Sequence, residues 1–225
     1  MVSETNHLID CSAGGNMTRK KRVWYEGACY HIMGRGNRRG SIFKEPDDYA
    51  LFLRVMKEVR EKCPFNLHAF CLMTNHFHLE LTTKGQPIWK IMQPLMNSYA
   101  RIFNGKYGYV GHLFESRYTS CLIENDIYFL EVSRYIHLNP VKAAMVREPL
   151  AYEYSSYRKY VSAGDFPPIS MDTDLLDTSR VLGSFRHNSR EQYRMFVEGK
   201  ISHAEQEMLI RKDINEDERW LPWEK

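Results

Sequence analysis

Two histidines, His76 and His78, flank Phe77 within an apolar stretch. In a strand, successive side chains point to opposite faces, so both imidazoles would share one face about 7 Å apart, with Phe77 on the other. Two imidazoles so placed can share a divalent ion, which is the chemistry this spacing indicates. Glu80 continues the same face, but on a straight strand it lies about 13 Å from His76. We therefore expect Glu80 to be a solvent-exposed edge carboxylate rather than a ligand.

A second pair with chemical potential is Tyr135 and Asn139, four residues apart. On a helix this spacing places the phenol and the amide on one face, one turn apart. Tyrosine can act as a covalent nucleophile, although its ordinary pKa near 10 leaves little phenolate at neutral pH. A cation that polarises a target phosphate would offset that handicap. The alternative is that Tyr135 is a core residue of the helix.

Hydrophobic periodicity predicts the elements that must position these residues. The residue before Pro140 is disfavoured in a helix, so we expect the third helix to end at about Asn139. The order β-α-β-β-α-β, followed by helices, predicts an α+β fold: a ferredoxin-like or RRM-like antiparallel sheet with helices on one face. The predicted strands are residues 28–35, 65–73, 76–83 and 118–123, and the predicted helices are residues 47–62, 87–106 and 126–139.

The chain divides into three predicted segments. Residues 1–16 are polar and aperiodic and are expected to form a disordered leader; residues 17–162 form the main domain. A linker-like stretch at residues 163–168 precedes a C-terminal helical extension over residues 163–225, with helices expected at 175–185, 190–198 and 202–212.

Composition limits the class of protein. The chain has 225 residues, 31 Lys and Arg against 28 Asp and Glu, and 43% hydrophobic residues, enough for a buried core. Basic residues outnumber acidic ones in residues 1–164 and the reverse holds afterwards, which favours a polyanion partner for the main domain. No apolar run could cross a membrane, and no secretory signal is evident. The 5 cysteines form no CxxC pair, which favours a reducing cytoplasm over a disulfide framework.

Taken together, the motifs resemble those of the HUH tyrosine transposases, most closely the REP-associated tyrosine transposases. The resemblance covers roughly residues 18–160, and its parts fall in the family's order on the expected elements. It is carried by Thr74-Asn75-His76-Phe77-His78-Leu79 and by Tyr135-Ile136-His137-Leu138-Asn139-Pro140-Val141-Lys142, with support from residues 30–39, 114–118 and 154–157.

The resemblance implies an HUH endonuclease core that cleaves and rejoins single-stranded DNA at palindromic repeats folded as hairpins. It implies that His76, His78 and Asn139 bind magnesium or manganese, and that Tyr135 attacks the phosphate to give a 5′-phosphotyrosine link. Ligand chemistry alone favours zinc, copper or nickel for paired imidazoles, so the metal rests on the resemblance, with manganese the easier compromise. The family's insertion-sequence branch tends to have the longer glutamine in place of Asn139.

Basic residues near strand ends are predicted to contact DNA, because guanidinium groups reach phosphates and base edges. The alternatives are that the loop at residues 34–40 is merely solvated and that Tyr118, otherwise a ring for stacking on a base, is a strand core residue. The predicted DNA-binding set is Arg35, Asn37, Arg38, Arg39, Arg117, Tyr118 and Lys142.

Several partners and rival functions follow from the same residues. We expect a bacterial, cytoplasmic, nucleoid-associated protein, monomeric or homodimeric, with hairpin-bearing single-stranded DNA as its partner and no membrane. One rival is a non-catalytic hairpin-binding regulator on the same fold. Another is a structural zinc protein that uses Cys71, His76 and His78, since Cys71 and His78 lie on adjacent predicted strands.

Overall fold

The computed structural model describes residues 23–162, 175–185 and 187–199. The predicted leader at 1–16, the linker at 163–168 and the helix at 202–212 lie outside these residues. The strands are β1 (Cys29–Arg35), β2 (Phe65–Met73), β3 (His76–Thr83) and β4 (Thr119–Ile123). The α-helices are α1 (Pro46–Lys62), α2 (Ile88–Tyr107), α3 (Asp126–Lys142), α4 (Tyr157–Val161), α5 (Ser179–Gly183) and α6 (Ser189–Val197). Short 3-10 helices lie at Asn37–Arg39 and Pro149–Ala151.

The four strands form one antiparallel sheet in the order β2-β3-β1-β4, so the predicted α+β class is correct. Helices α1 and α2, which connect strands, cover one side. We call this side the apolar face; it is built from Tyr30 and Ile32 of β1 and Phe77, Leu79 and Leu81 of β3. Their period-two spacing places every second residue of each strand in this core.

The other side, which we call the histidine face, carries His31 on β1 and His76, His78 and Glu80 on β3. Its apolar cluster unites strand residues such as Cys29 and Cys71 with residues of α3, α4, α5 and α6. The two connecting helices therefore lie on one face, as predicted, while α3 and the helices after it cover the opposite one.

Glu80 is fully buried, so the expectation of a solvent-exposed carboxylate is wrong. It lies on β3, an inner strand of the sheet, where it pairs with His31 of β1 and Ala69 of β2. The helices on the histidine face then remove it from solvent, and neither carboxylate oxygen has a hydrogen-bond partner among the described residues. Burial holds the pKa of Glu80 well above its usual range.

Two helix boundaries differ from those predicted. Helix α3 continues through Pro140 to Lys142 rather than ending at Asn139. Pro140 removes one helical hydrogen bond and crowds the carbonyl four residues earlier, but only two residues of α3 follow it, so the helix ends soon after. In the predicted helix 175–185, Leu176 instead forms a parallel bridge with Leu67, and only Ser179–Gly183 is helical. No helix in the described part of the chain is both long and apolar enough to span a membrane.

The outer edge of β2 is covered by two later segments of the chain. Ser155 forms an antiparallel bridge with Cys71, and the N–H of Leu72 donates to the carbonyl of Tyr154 at 2.9 Å. Further along the strand, the N–H of Asp177 donates to the carbonyl of Leu67 at 2.7 Å. These bonds satisfy backbone groups that an edge strand would otherwise present to solvent.

Candidate active site

The two histidines of β3 lie side by side on the histidine face, as their spacing predicts. The ring centroids of His76 and His78 are 5.1 Å apart, and the rings are nearly perpendicular, at 87°. Phe77 points the other way into the apolar face, where its ring centroid is 4.9 Å from that of Phe52. One strand therefore contributes a core aromatic and two imidazoles at adjacent positions.

Helix α3 brings Tyr135 and Asn139 to the same place. The helix begins where the side chain of Asn125 accepts a hydrogen bond from the N–H of Tyr128 at 2.7 Å, a favourable N-cap. The Tyr135 ring centroid is 5.5 Å from that of His78. The Asn139 amide acts on both neighbours: its hydrogen bonding raises the pKa of His76 and lowers that of Tyr135. A single chain thus unites the tyrosine, the amide and both histidines.

A third imidazole, that of His31 on β1, belongs to the site and was not assigned a role from the sequence. Its Nε2 lies 3.1 Å from Nδ1 of His78, and the two rings stack with centroids 5.3 Å apart. The edge of the Tyr135 ring meets that of His31 at 5.7 Å between centroids. The β1–β3 pairing, which places Met33 opposite His78, creates this contact.

Burial keeps these imidazoles neutral at physiological pH. It lowers the pKa of His31 to about 4 and holds the pKa of His78 well below its usual range, with the neighbouring His31, His76 and Arg35 adding to the latter effect. The pKa of His76 is also lowered, mainly by burial and further by Arg35, whereas hydrogen bonding of the protonated ring to Asn139 acts in the opposite direction. A neutral imidazole keeps a lone pair on one ring nitrogen, as metal binding requires.

The Tyr135 hydroxyl experiences opposing influences. Burial raises its pKa above the ordinary value of 10.0, and the nearby Cys71 adds to this. The hydrogen bond from Asn139 and the positive charge of Arg35 lower the same pKa. The ammonium of Lys142 also lies 4.9 Å from the centroid of the Tyr135 ring. The phenol of Tyr135 is therefore still protonated at neutral pH, with the positive charges of Arg35 and Lys142 nearby.

The predicted DNA-binding loops converge beside this site. An isolated bridge joins Gly36 to Phe114, and the N–H of Asn37 donates to the carbonyl of Leu113 at 2.8 Å, so the segment that leads to Arg117 runs next to residues 36–40. Asn37, Arg38, Arg39, Arg117 and Lys142 are exposed, and Arg35 is half-buried.

Tyr118 differs from the other predicted DNA-binding residues. Its side chain is only 3% exposed and belongs to the core of the apolar face. The ring is therefore not available to stack on a base, and the alternative of a strand-end core residue describes it correctly. The residue lies just before β4, where the chain enters the sheet.

Behind the site, His137 ties α3 to the rest of the molecule. Its Nδ1 lies 2.6 Å from the Tyr193 hydroxyl of α6, and its Nε2 lies 2.7 Å from Oγ of Ser156. Ser133, one turn earlier on α3, is 2.6 Å from the same Tyr193 hydroxyl. Burial lowers the pKa of His137 to about 3, so this network contains a neutral imidazole. It fixes the inner side of the helix that carries Tyr135.

The donor set is compatible with a divalent ion. Two neutral imidazoles and the Asn139 amide lie on the histidine face, a mixed nitrogen and oxygen set that suits manganese better than magnesium. The rival zinc site is not supported. In residues 23–162, 175–185 and 187–199, no three His, Cys, Asp or Glu side chains are grouped to hold an ion. Burial also raises the pKa of Cys71 far above its usual value, which disfavours the thiolate that zinc requires.

Comparisons with known proteins agree with this fold. The family model described as "Transposase IS200 like" matches residues 25–139. A solved REP-associated tyrosine transposase bound to a REP hairpin is 21% identical, with a TM-score of 0.57 over 73% of this chain and 96% of that chain. A transposase-like protein of Deinococcus radiodurans R1 is 16% identical, with a TM-score of 0.38 over 53% and 95% of the two chains. A comparison with curated proteins gave no match.

These findings differ in what they establish. At 21% identity the first solved structure shows a shared fold, which confirms the resemblance to the REP-associated transposases at that level. The second, with its low TM-score, adds nothing to the argument. The family match is more specific, because residues 25–139 span just over half of the 225 residues and include the two β3 histidines, Tyr135 and Asn139. The chain therefore belongs to the IS200-like transposase family.

Proposed function

We propose that this protein is a metal-dependent endonuclease and strand-transferase that acts on single-stranded DNA beside hairpin repeats. The observation that carries the proposal is the convergence of α3 on the sheet: the Tyr135 ring centroid lies 5.5 Å from that of His78 on β3 and 5.7 Å from that of His31 on β1. A nucleophile and two neutral imidazoles at one surface are the parts that phosphodiester transfer requires.

In the proposed reaction, the Tyr135 oxygen attacks the scissile phosphorus and displaces the 3′-oxygen. The new bond is a 5′-phosphotyrosine ester; the displaced 3′-oxygen becomes a hydroxyl once protonated. Tyr135 must lose its hydroxyl proton. Hydrogen bonding to Asn139 and the charge of Arg35 both lower the pKa of Tyr135 and so make this loss easier. Attack by a second 3′-hydroxyl on the ester reverses the step and joins two strands without an external energy source.

His76, His78 and Asn139 would hold the divalent ion, magnesium or manganese. When bound, the ion polarises the scissile phosphate and stabilises the charge that develops on it. Within the protein, the contact between Nδ1 of His78 and Nε2 of His31 at 3.1 Å fixes the orientation of one ligand ring. Loss of such support behind a ligand commonly weakens metal affinity about 10–100-fold.

DNA would approach along the exposed loops beside Tyr135. Arg38, Arg39 and Arg117 offer guanidinium groups for phosphates, and Arg35 and Lys142 lie close to the nucleophile. The structural relative is bound to a REP hairpin. We therefore propose a hairpin flanked by a single strand as the substrate. Asn37, next to Arg38 in the same exposed loop, would contact the same DNA strand.

A covalent-adduct assay tests this function. Protein is mixed with a 3′-labelled hairpin oligonucleotide from the host's own repeats and with Mg²⁺ or Mn²⁺, and the products are separated on a denaturing gel. We expect a labelled protein band that requires the metal and disappears in Tyr135→Phe and His76→Ala. Tyr128→Phe, a half-buried tyrosine two turns earlier on α3, is the matched control and should retain the band.

Two results would contradict the proposal. A band that persists in Tyr135→Phe would show that another residue is the nucleophile. Tight hairpin binding by the wild-type protein without any adduct, with either metal, would favour the non-catalytic hairpin-binding regulator instead.

A further inference from the structure

Asn75, in the turn between β2 and β3, holds a metal-ligand candidate on one side and a loop on the other. Its Nδ2 donates to the carbonyl of Arg39 at 3.2 Å, and its Oδ1 lies 2.7 Å from Nδ1 of His76. A carbonyl oxygen can only accept, so the amide nitrogen must face Arg39 and the amide oxygen must face His76. That oxygen in turn can only accept, so Nδ1 of His76 carries the hydrogen. Its Nε2 is left with the lone pair that a metal needs.

The loop on the other side of Asn75 has one closely determined shape. Arg38 and Arg39 both have a left-handed backbone, with φ of 52° and 57°, which strains residues that carry a Cβ. The N–H of Gly36 donates to the backbone carbonyl of Asn75 at 2.8 Å. A Cβ at Gly36 would lie 2.0 Å from the carbonyl oxygen of Gly40, so the loop closes too tightly for any other residue. Strain of this kind persists only where neighbouring contacts hold it.

We infer that Asn75 is a positioning residue that couples the loop of residues 36–40, which carries Arg38 and Arg39, to the metal site. Its side chain bridges the backbone of Arg39 and the ring of His76, so one amide sets both the loop shape and the tautomer of His76. DNA held by the exposed Arg38 and Arg39 would then favour ion binding, and a bound ion would favour DNA to the same extent, because such coupling is reciprocal. This inference rests on the proposed function, since it takes His76 as a ligand and the loop as a DNA contact.

Two substitutions separate the halves of the bridge. Asn75→Asp keeps an oxygen acceptor for Nδ1 of His76 but loses the donor to the Arg39 carbonyl. Asn75→Ala loses both bonds. Asn97→Ala, an exposed asparagine on α2, is the matched control. All are made in the Tyr135→Phe background, so that DNA remains uncleaved, and the thermal unfolding midpoint of each checks that it is folded.

The measurement is Mn²⁺ affinity by calorimetry, with and without a saturating hairpin oligonucleotide that has a single-stranded flank. We expect DNA to strengthen Mn²⁺ binding in the background protein and in Asn97→Ala. Asn75→Ala should bind Mn²⁺ about 10–100-fold more weakly, the usual effect of losing support behind a ligand. Asn75→Asp should bind Mn²⁺ at least as tightly as the background protein but lose most of the strengthening by DNA.

The tautomer of His76 gives a reading that needs neither metal nor DNA. Nitrogen-15 NMR of the metal-free protein should show hydrogen on Nδ1 of His76 in the background protein and in Asn75→Asp, and a shift toward Nε2 in Asn75→Ala. An unchanged tautomer and unchanged Mn²⁺ affinity in Asn75→Ala would overturn the role of Asn75 even if Tyr135 forms its adduct. A wild-type protein with the expected tautomer but no Mn²⁺ binding and no adduct would overturn the proposed function, and the coupling with it.

Discussion

The two faces of the sheet are built from the same strands and differ in almost every chemical respect. On the apolar face, β3 contributes Phe77, Leu79 and Leu81 to a core rich in aromatic rings. On the histidine face the intervening residues of β3 are His76, His78 and Glu80. Apolar burial stabilises a fold roughly in proportion to area, whereas a buried polar group costs free energy unless it is hydrogen-bonded.

The difference is clearest in Asp48 and Glu80, two carboxylates that are buried in the described part of the chain. In the layer of α1 and α2, Asp48 accepts hydrogen bonds from Lys106 at 2.9 Å, from Tyr107 at 2.8 Å and from the N–H of Lys44 at 2.8 Å. On the histidine face, Glu80 has no hydrogen-bond partner among the described residues. The α1–α2 layer thus satisfies its buried carboxylate, whereas the histidine face retains one at a cost in stability.

The largest expected contrast comes from neighbouring residues of β3. Phe77→Ala should lower the free energy of unfolding by about 3–5 kcal/mol, because it empties a core position. His76→Ala, on a half-buried side chain, should cost about 1 kcal/mol or less and abolish Mn²⁺ binding. Urea unfolding and calorimetry measure the two effects. The comparison of the faces would fail if His76→Ala proved the more destabilising of the two, or if it left Mn²⁺ affinity unchanged.

A smaller effect is expected at Glu80. Its folded-state pKa is raised, so above the ordinary pKa the unfolded chain loses a proton that the folded protein keeps, and stability falls as pH rises. Glu80→Gln resembles the neutral acid and should remove this fall. As the pH rises from 5 to 8, the free energy of unfolding of Glu80→Gln should therefore increase by about 1–3 kcal/mol relative to that of wild type.

The matched control for Glu80 is Glu124→Gln, which changes an exposed carboxylate beyond β4. Urea unfolding at several pH values gives both curves. Parallel curves for wild type and Glu80→Gln would mean that Glu80 is ionised or paired in solution, and the contrast with Asp48 would be lost.

The smallest effect is expected at Arg35, whose charge lowers the pKa of Tyr135 and of both β3 histidines. Arg35→Gln should raise all three pKa values, so both limbs of the pH dependence of cleavage should move to higher pH. At neutral pH we expect single-turnover cleavage to slow by about tenfold, equivalent to about 1.4 kcal/mol. The rate is measured with DNA fully bound, which separates this effect from weaker binding. A slower rate with unshifted limbs would assign Arg35 to DNA positioning alone.

Local spacing predicted those parts of the site that depend on one element. The period of a strand placed His76 and His78 together and Phe77 opposite, and the period of a helix paired Tyr135 with Asn139. The α+β class followed from the order of such elements. These inferences require only the residues of a single strand or helix.

What the sequence did not reveal depends on contacts between distant parts of the chain. The role of His31 comes from the β1–β3 register, and the burial of Glu80 comes from the helices laid over the histidine face. His137 meets Tyr193 across 56 positions of the chain. Tyr118 needed the packing of the apolar face to be identified as core. A single sequence carries no direct signal for pairings of this range.

The covered edge of β2 has a consequence for self-association. Strand edges with free backbone groups invite pairing with another chain and, at high concentration, aggregation. Here the segments around Ser155 and Leu176 already occupy the β2 edge, while the sheet ends on its other side at β4, which has only 5 residues. Growth of the sheet by a second copy is therefore directed to one short strand. The edge of β2, the strand next to the histidine-bearing β3, is therefore protected against pairing with further copies of the chain.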